Sequence, residues 1–510
     1  MYKVSYKKYV VAITLFTLIS KAFGFIRESV VAYYFGTSLY VDIYVISITI
    51  PTLFLGFLSC ASPAFISQYN EIRHHKNKET SNAFFVHFFL AISVAAICLI
   101  LVLRSFDTQI IHFLAPGFNS EQIHIAREYL AIVIWDAVLV AGIDVTVAFL
   151  QVNDKFIQAS SSIVVHSSFQ IIFAAMAGKY GAILLAYGYI ISDLLYLLVL
   201  IGFAQKDLHV TRSSLLNFDG KIIIQSCALA FPLFLVNILD QAITYIDRSL
   251  ASVLAIGSIS SLYYAGIVKN FAITTLDVGI TSVALPVLSK MVSGGNLNLA
   301  NRSFEKSLLF VATLFIPTAL GIALLSSNVI TILFGRGSFD ETSIKSCSTL
   351  LALYAIGMIA VGIEDISKKY VFSTNRNSRC TLITLVKVGI YYLLSSLLIK
   401  KYKVFALAIS FSLSSWLIIP FYYIVIKKAT SWKPSWQFIK AILKISAAAI
   451  SMFLIILLFN LVIAFESKYL VFVIDVTLGM ISYFVILYNL KVEEINEFFR
   501  STKNRLLEFL

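Results

Sequence analysis

Three ionisable residues, Lys21, Arg27 and Glu28, stand in the apolar stretch "SKAFGFIRESVVAYYFGTSLYVDIY", and Asp42 follows near its end. A guanidinium offers two parallel N–H donors that match a phosphate edge, and an ammonium adds a point charge, so Lys21 and Arg27 suit an anionic ligand. A charge at the centre of a membrane helix costs at least about 2.5–3.5 kcal/mol, so such groups face a cavity or a partner. A plainer role competes with the ligand role: Arg27 pairs with Asp42 and Arg248 with Asp247, or both arginines anchor helix ends. On an unbroken helix Lys21 and Arg27 diverge by about 240°, and a break at Gly24 would bring them onto one face. Arg27 and Glu28 diverge by about 100°, which leaves Arg27 to face something other than its neighbour.

Further along, Asp240, Asp247 and Arg248 share one apolar run, and Lys269 and Asp277 share the next. Asp247 is a candidate cation-coupling group for Na⁺ or H⁺, or an ion-pair partner of Arg248; coupling to the membrane potential is the third route. Asp136, Asp144, His166, Asp193 and Lys387 are single polar residues in apolar runs and are expected to hydrogen-bond between helices. Glu364 and Asp365 are expected to form (i, i+4) pairs with Lys368 and Lys369. No Walker A, GxSxG or HExxH pattern is present, and "LFGRGSFDETS" reads as a turn before a helix capped by Ser338 or Asp340. The five cysteines are scattered and form neither a disulfide framework nor a metal cluster. A transporter is expected rather than an enzyme, with no metal and no organic cofactor.

The elements that must carry these residues follow from hydropathy. The chain is 59% apolar and 13% charged, with a mean hydropathy of +0.88, which describes a polytopic membrane protein. Its apolar runs approach the roughly 20 residues a spanning helix needs, which argues against a β-barrel. Cutting them at charged or Gly/Asn/Ser-rich breaks gives about fourteen spans, the first a retained helix. The 40 Lys and Arg against 27 Asp and Glu gather in alternate loops, which the positive-inside rule places in the cytoplasm with both termini. That distribution explains the basic excess without nucleic acid. One loop, with Lys400, Lys401 and Lys403, departs from the pattern. Phe106–Ile125 and Glu493–Leu510 read as interfacial amphipathic pieces.

A repeat is visible. Arg27 precedes Gly36 by nine residues, and Arg248 precedes Gly257 by nine, each followed by Thr or Ser and an aromatic-rich helix. The expected fold is all-α, with two pseudo-repeated lobes of seven helices around a central cavity. Its expected division is 1–205 for helices 1–6, 206–428 for helices 7–12, 429–490 for helices 13–14, and 491–510 for a cytoplasmic tail.

"SKAFGFIRESVVAYYFGTS", "VDIYVISITIPTLF", "IDRSLASVLAIGSISSLYYA", "ALPVLSKM" and "LFGRGSFDETS" resemble, in order and spacing, the MurJ/MviN family of bacterial lipid II flippases, within the superfamily of multidrug, oligosaccharidyl-lipid and polysaccharide exporters. The resemblance implies alternating-access transport of undecaprenyl-diphosphate-linked peptidoglycan precursor from inner to outer leaflet of the bacterial cytoplasmic membrane. Another polyprenyl-linked saccharide, or cation-coupled drug or metabolite antiport, is the alternative. It implies a monomer whose partners are the lipid-linked oligosaccharide, the bilayer and cell-wall synthesis proteins. It places the family's first-helix cations on Lys21 and Arg27, with lysine where arginine is usual, and the second-helix aspartate on Asp42. Leu55 or Gly56, and Ile267, stand where the family commonly has arginine, and Lys269 lies near the second of these. "NRNSRC" replaces the family's turn after the tenth helix.

Overall fold

The computed structural model describes residues 6–59, 61–211, 220–374, 376–462 and 467–491. The expected surface helix at Glu493–Leu510 lies outside them. Seventeen helices occur among the described residues: α1 Tyr6–Phe35, α2 Leu39–Ser59, α3 Ala61–His75, α4 Lys78–Ser105, α5 Asp107–Leu114, α6 Ser120–Val133, α7 Asp136–Val152, α8 Phe156–Tyr180, α9 Leu184–Ala204, α10 Lys221–Ser252, α11 Ser258–Ser293, α12 Leu297–Phe334, α13 Glu341–Ser373, α14 Asn377–Tyr402, α15 Phe405–Thr430, α16 Trp436–Val462 and α17 Lys468–Asn489. Ten apolar segments among the described residues are long enough to cross a membrane, and Leu39–Thr52 is a shorter apolar helix. The all-α membrane fold and the fourteen-span reading agree with this arrangement. The second expected span is α2 continued by α3, and the fourth is α6 and α7, broken at Ile134–Trp135.

Helix starts follow capping chemistry. Asn77 accepts from the Thr80 N–H at 2.7 Å to open α4, and Asn119 with Gln122 forms a capping box on α6. α5 supplies the short piece expected within Phe106–Ile125, burying Ile111 and Leu114.

The chain divides into two compact units, Met1–Ser260 with Phe334–Asp340, and Ser261–Leu333 with Glu341–Leu510. Within the first, α1 lies along α8, α8 along α9, and α7 against α4 and α9. Phe65, Phe84 and Phe88 stack in its core, each ring pair adding about 0.5–1.5 kcal/mol beyond its buried area. Tyr69 donates to Asn82 at 2.8 Å, and Asn82 donates to the Asp207 carbonyl at 2.9 Å, which fastens α3 and α4 to the chain leaving α9.

In the second unit Phe304, Phe315, Met358, Tyr370 and Ile418 join α12, α13 and α15 in one apolar cluster. α16 and α17 close against α12 through Ile445, Met452 and Tyr483, whose hydroxyl donates to the Thr313 carbonyl at 2.9 Å.

Here one sequence expectation is corrected. Glu364 pairs with Lys387 of α14 at 2.5 Å, and Lys369 lies 3.8 Å from Asp277 of α11, so these partners come from other helices. The reason is position: Glu364 is buried, and so is Lys387, and a buried cation on α14 needs a neighbouring carboxylate. Asp365 remains within electrostatic reach of Lys368 and Lys369, as the sequence suggests. Lys387→Ala is expected to strand Glu364 and to cost about 3–5 kcal/mol, read as reduced membrane abundance. Lys387→Met/Glu364→Gln should regain most of it; a double variant no more abundant than the single one refutes the pairing.

Candidate functional site

The first unit holds the N-terminal cation cluster. α1 is helical through Gly24, so the break that would align Lys21 with Arg27 does not occur. Ser20, next to Lys21, meets Ser167 of α8 at 3.2 Å between hydroxyl oxygens. Lys21 is half-buried. Arg27 Nη1 donates to Gln170 Oε1 of α8 at 2.5 Å, and Nη2 donates to Glu28 Oε1. The expectation that Arg27 turns away from Glu28 is thereby corrected: long side chains at adjacent positions bend toward each other when one of them is a buried carboxylate, and Glu28 is 2% exposed. Arg27 still keeps 21% of its side chain accessible. The enclosed space beside it, among Val31, Tyr44, Gln170 and Tyr189, is about 10 Å³, room for one water at most. Only the exposed edge of Arg27 is open to anything larger.

Asp42, on which the resemblance places the family's second-helix aspartate, is held by backbone donors. Its Oδ2 accepts from the Gly257 N–H and its Oδ1 from the Ser260 N–H, both at 2.7 Å. The carboxylate is 3% exposed and caps the N-terminus of α11 from another helix, where unpaired N–H groups and the helix dipole favour an anion. Arg248 Nη1 donates to the Ile259 carbonyl at 3.2 Å, so the same first turn is held by a carboxylate on its donors and a guanidinium on an acceptor. Arg248 thus serves the α10–α11 turn, and Asp247 beside it is half-buried.

The repeat has structural content at its glycines. Gly36 (φ +55°) follows α1 and Gly257 (φ +88°) follows α10, both in the left-handed region that a side chain disfavours. A Cβ on Gly257 would meet the Thr37 carbonyl oxygen at 2.7 Å, and one on Gly36 the Ser338 carbonyl oxygen at 2.3 Å. The turn that precedes α13, where a cap is expected at Ser338 or Asp340, also serves α1: the Ser338 N–H donates to the Tyr33 carbonyl at 2.8 Å and its hydroxyl to the Tyr34 carbonyl at 3.1 Å, which satisfies orphan acceptors at the end of α1.

Lys269 belongs to the second unit. Its ammonium lies 4.4 Å from the Tyr354 ring centre and 4.1 Å from that of Phe411, a cation held over two aromatic faces.

Sequence reading passed over Gln170. His166 and Gln170 stand one turn apart on α8, and that polar spacing inside an apolar run is the one signal the sequence carries. His166 Nε2 lies 3.2 Å from Asp193 Oδ1 of α9, the interhelical bonding expected of both residues. Among the described residues no cluster of His, Cys, Asp and Glu could hold a metal ion.

A family model for lipid II flippase MurJ matches residues 31–478. Among curated relatives, a protein of Buchnera aphidicola named "Probable lipid II flippase MurJ" is 26% identical over 91% of this chain and 92% of its own length. One of the same name from Thermotoga maritima is 25% identical over 97% and 98%. Among solved structures, a lipid II flippase MurJ in an inward closed conformation superposes with a TM-score of 0.79 at 22% identity, covering 95% of this chain and all of that one. An inward-facing multidrug resistance MATE family transporter superposes with a TM-score of 0.67 at 11% identity over 83% of this chain. The match to the family model spans most of the sequence, and the chain belongs to the lipid II flippase MurJ family.

Proposed function

We propose that the protein carries lipid II, the undecaprenyl-diphosphate-linked peptidoglycan precursor, from the inner to the outer leaflet of the bacterial cytoplasmic membrane. The observation that carries this reading is Arg27, a permanently charged guanidinium on a membrane helix, held at its base by Glu28 and Gln170 with an edge left accessible. That arrangement suits a diphosphate, which takes two parallel N–H bonds. Lys21 adds a second cation on the same helix. The membrane potential acts on any net charge moved, at about 2.3 kcal/mol per charge per 100 mV, and resets the carrier; Asp247 is the residue through which Na⁺ would act instead. The protein works as a monomer and hands its cargo to cell-wall synthesis proteins on the outer face.

The test uses purified protein in vesicles loaded with fluorescent lipid II, with accessibility to a membrane-impermeant enzyme as readout. Translocation of lipid II but not of an undecaprenyl monophosphate is expected; equal handling of both refutes diphosphate recognition.

Both termini lie in the cytoplasm in this reading. In a background without the native cysteines, Ile256→Cys, at a site 63% exposed, should react with an impermeant maleimide added outside intact cells. Lys76→Cys should stay unlabelled until the cells are opened, and the reverse pattern inverts the orientation.

A further inference from the structure

Arg27 is one end of a polar chain that crosses four helices inside the first unit. Its other end is Asp136, the first residue of α7, fully buried with no N–H or O–H donor on either carboxylate oxygen. The group beside it is the carboxyl of Asp193, 6% exposed on α9. Two ionised carboxylates side by side in a buried site repel, and one proton held by the pair removes the repulsion. From Asp193 the chain runs to His166 Nε2 at 3.2 Å, from the same nitrogen to Gln170 Nε2 at 3.0 Å, and from Gln170 Oε1 to Arg27 at 2.5 Å.

The chemistry of the amide fixes the protons. A guanidinium only donates, so the atom of Gln170 that faces it is the oxygen, and the NH₂ group must point at His166. An NH₂ hydrogen bonds to Nε2 only if that nitrogen carries a lone pair. His166 is then neutral with its proton on Nδ1, and the pair's single proton sits on Asp193, facing the imidazole. A second proton reverses this: the Asp193 proton passes to Nε2, the incoming proton takes its place between Asp193 and Asp136, the new N–H bond points back to Asp193, two donors oppose each other between His166 and Gln170, and the amide must leave. Arg27 then loses the Gln170 oxygen and has that donor to give to an anion.

We infer that Asp136, Asp193 and His166 form a proton-binding site that governs the anion affinity of Arg27 through Gln170. This rests on the reading that Arg27 takes the diphosphate. The step is one proton taken from water onto the carboxyl pair, one O–H bond broken at Asp193 and one N–H bond made at Nε2, and one hydrogen bond from Gln170 broken. By linkage the reverse holds, and an anion on Arg27 favours uptake of that proton. The charged and titratable groups that face the site are Arg27 and Glu28 on α1, Tyr44 on α2, and Tyr189 on α9. Tyr196 on α9 sets its ring 5.9 Å from that of His166 and interacts with Asp193 and with Asp144 on α7, and Tyr129 on α6 reaches the group through Tyr44. Glu28 holds Arg27 in both states, so only the Gln170 bond changes.

Two measurements test it. Infrared spectra of detergent-solubilised protein at neutral pH, with no lipid present, should show a carboxylic-acid C=O band that disappears in Asp136→Asn and in Asp193→Asn; a band unchanged in both variants refutes the shared proton. In vesicles with equal pH on both sides, lipid II translocation by the wild type should rise about tenfold or more on acidification, the worth of one charge-assisted hydrogen bond. Gln170→Ala should be pH-independent at the faster rate, because the donor that Gln170 holds is then always available, and His166→Gln should be pH-independent. A network that merely ties helices together predicts less protein with the wild-type pH profile, and that result in both Gln170→Ala and His166→Gln overturns the proposal. A wild type that moves no lipid II defeats the transport reading, and the infrared band then decides the proton site by itself.

Discussion

Arg27→Ala is expected to lower lipid II translocation by about a hundredfold or more, since two charge-assisted hydrogen bonds to a diphosphate are each worth about 1.5–3 kcal/mol, less what Arg27 already spends on its neighbours. Those neighbours complicate the single variant. Glu28 is 2% exposed and bonded to Arg27, so removing the guanidinium also leaves a buried carboxylate without that counter-charge, a change that reduces folded protein regardless of any ligand. Arg27→Ala/Glu28→Gln separates the two effects. The double variant should reach wild-type abundance in the membrane and still fail to move lipid II in vesicles. Arg27→Lys should keep part of the activity, because an ammonium supplies charge without the parallel pair of donors. If the double variant transports at the wild-type rate, Arg27 is a structural partner of Glu28 and the diphosphate is bound elsewhere.

The membrane fold was legible because a bilayer demands long apolar helices, and α4, α9 and α12 are little else. The repeat was legible for a similar reason: Gly36 and Gly257 sit at positive φ where a side chain has no room, so the glycine spacing survives in the sequence. Pairings within the site were less legible. Helical periodicity tells which residues share a face of one helix, and on that basis Glu364 belongs with Lys368. Only the packing of α14 on α13 brings Lys387 within 2.5 Å. The same holds for Gln170, an unremarkable amide in α8 until α1 lies beside it. Asp42 shows the sharper limit. Its position near the start of an apolar helix marks it as costly, but its cost is met by backbone N–H groups of Gly257 and Ser260, and backbone donors leave no trace in side-chain patterns.

That capping role makes Asp42 the converse of Arg27. Asp42→Ala is expected to leave the Gly257 and Ser260 N–H groups buried without acceptors and to forgo the favourable charge at the start of α11. Each lost bond to a charged acceptor is worth about 1.5–3 kcal/mol, so a total of about 3–5 kcal/mol is expected. Arg248 amplifies the loss, since it lies within electrostatic reach of the same carboxylate while holding the Ile259 carbonyl. Asp42→Asn keeps one acceptor oxygen and should recover about half of the stability, whereas Asp42→Glu adds a methylene at a site with no spare room and should recover less. Thermal unfolding of the purified variants, followed beside membrane abundance, reads this order directly. The translocation rate per folded molecule should fall far less for Asp42→Asn than for Arg27→Ala. An Asp42→Asn protein as stable as the wild type and inactive in vesicles would return Asp42 to the substrate site.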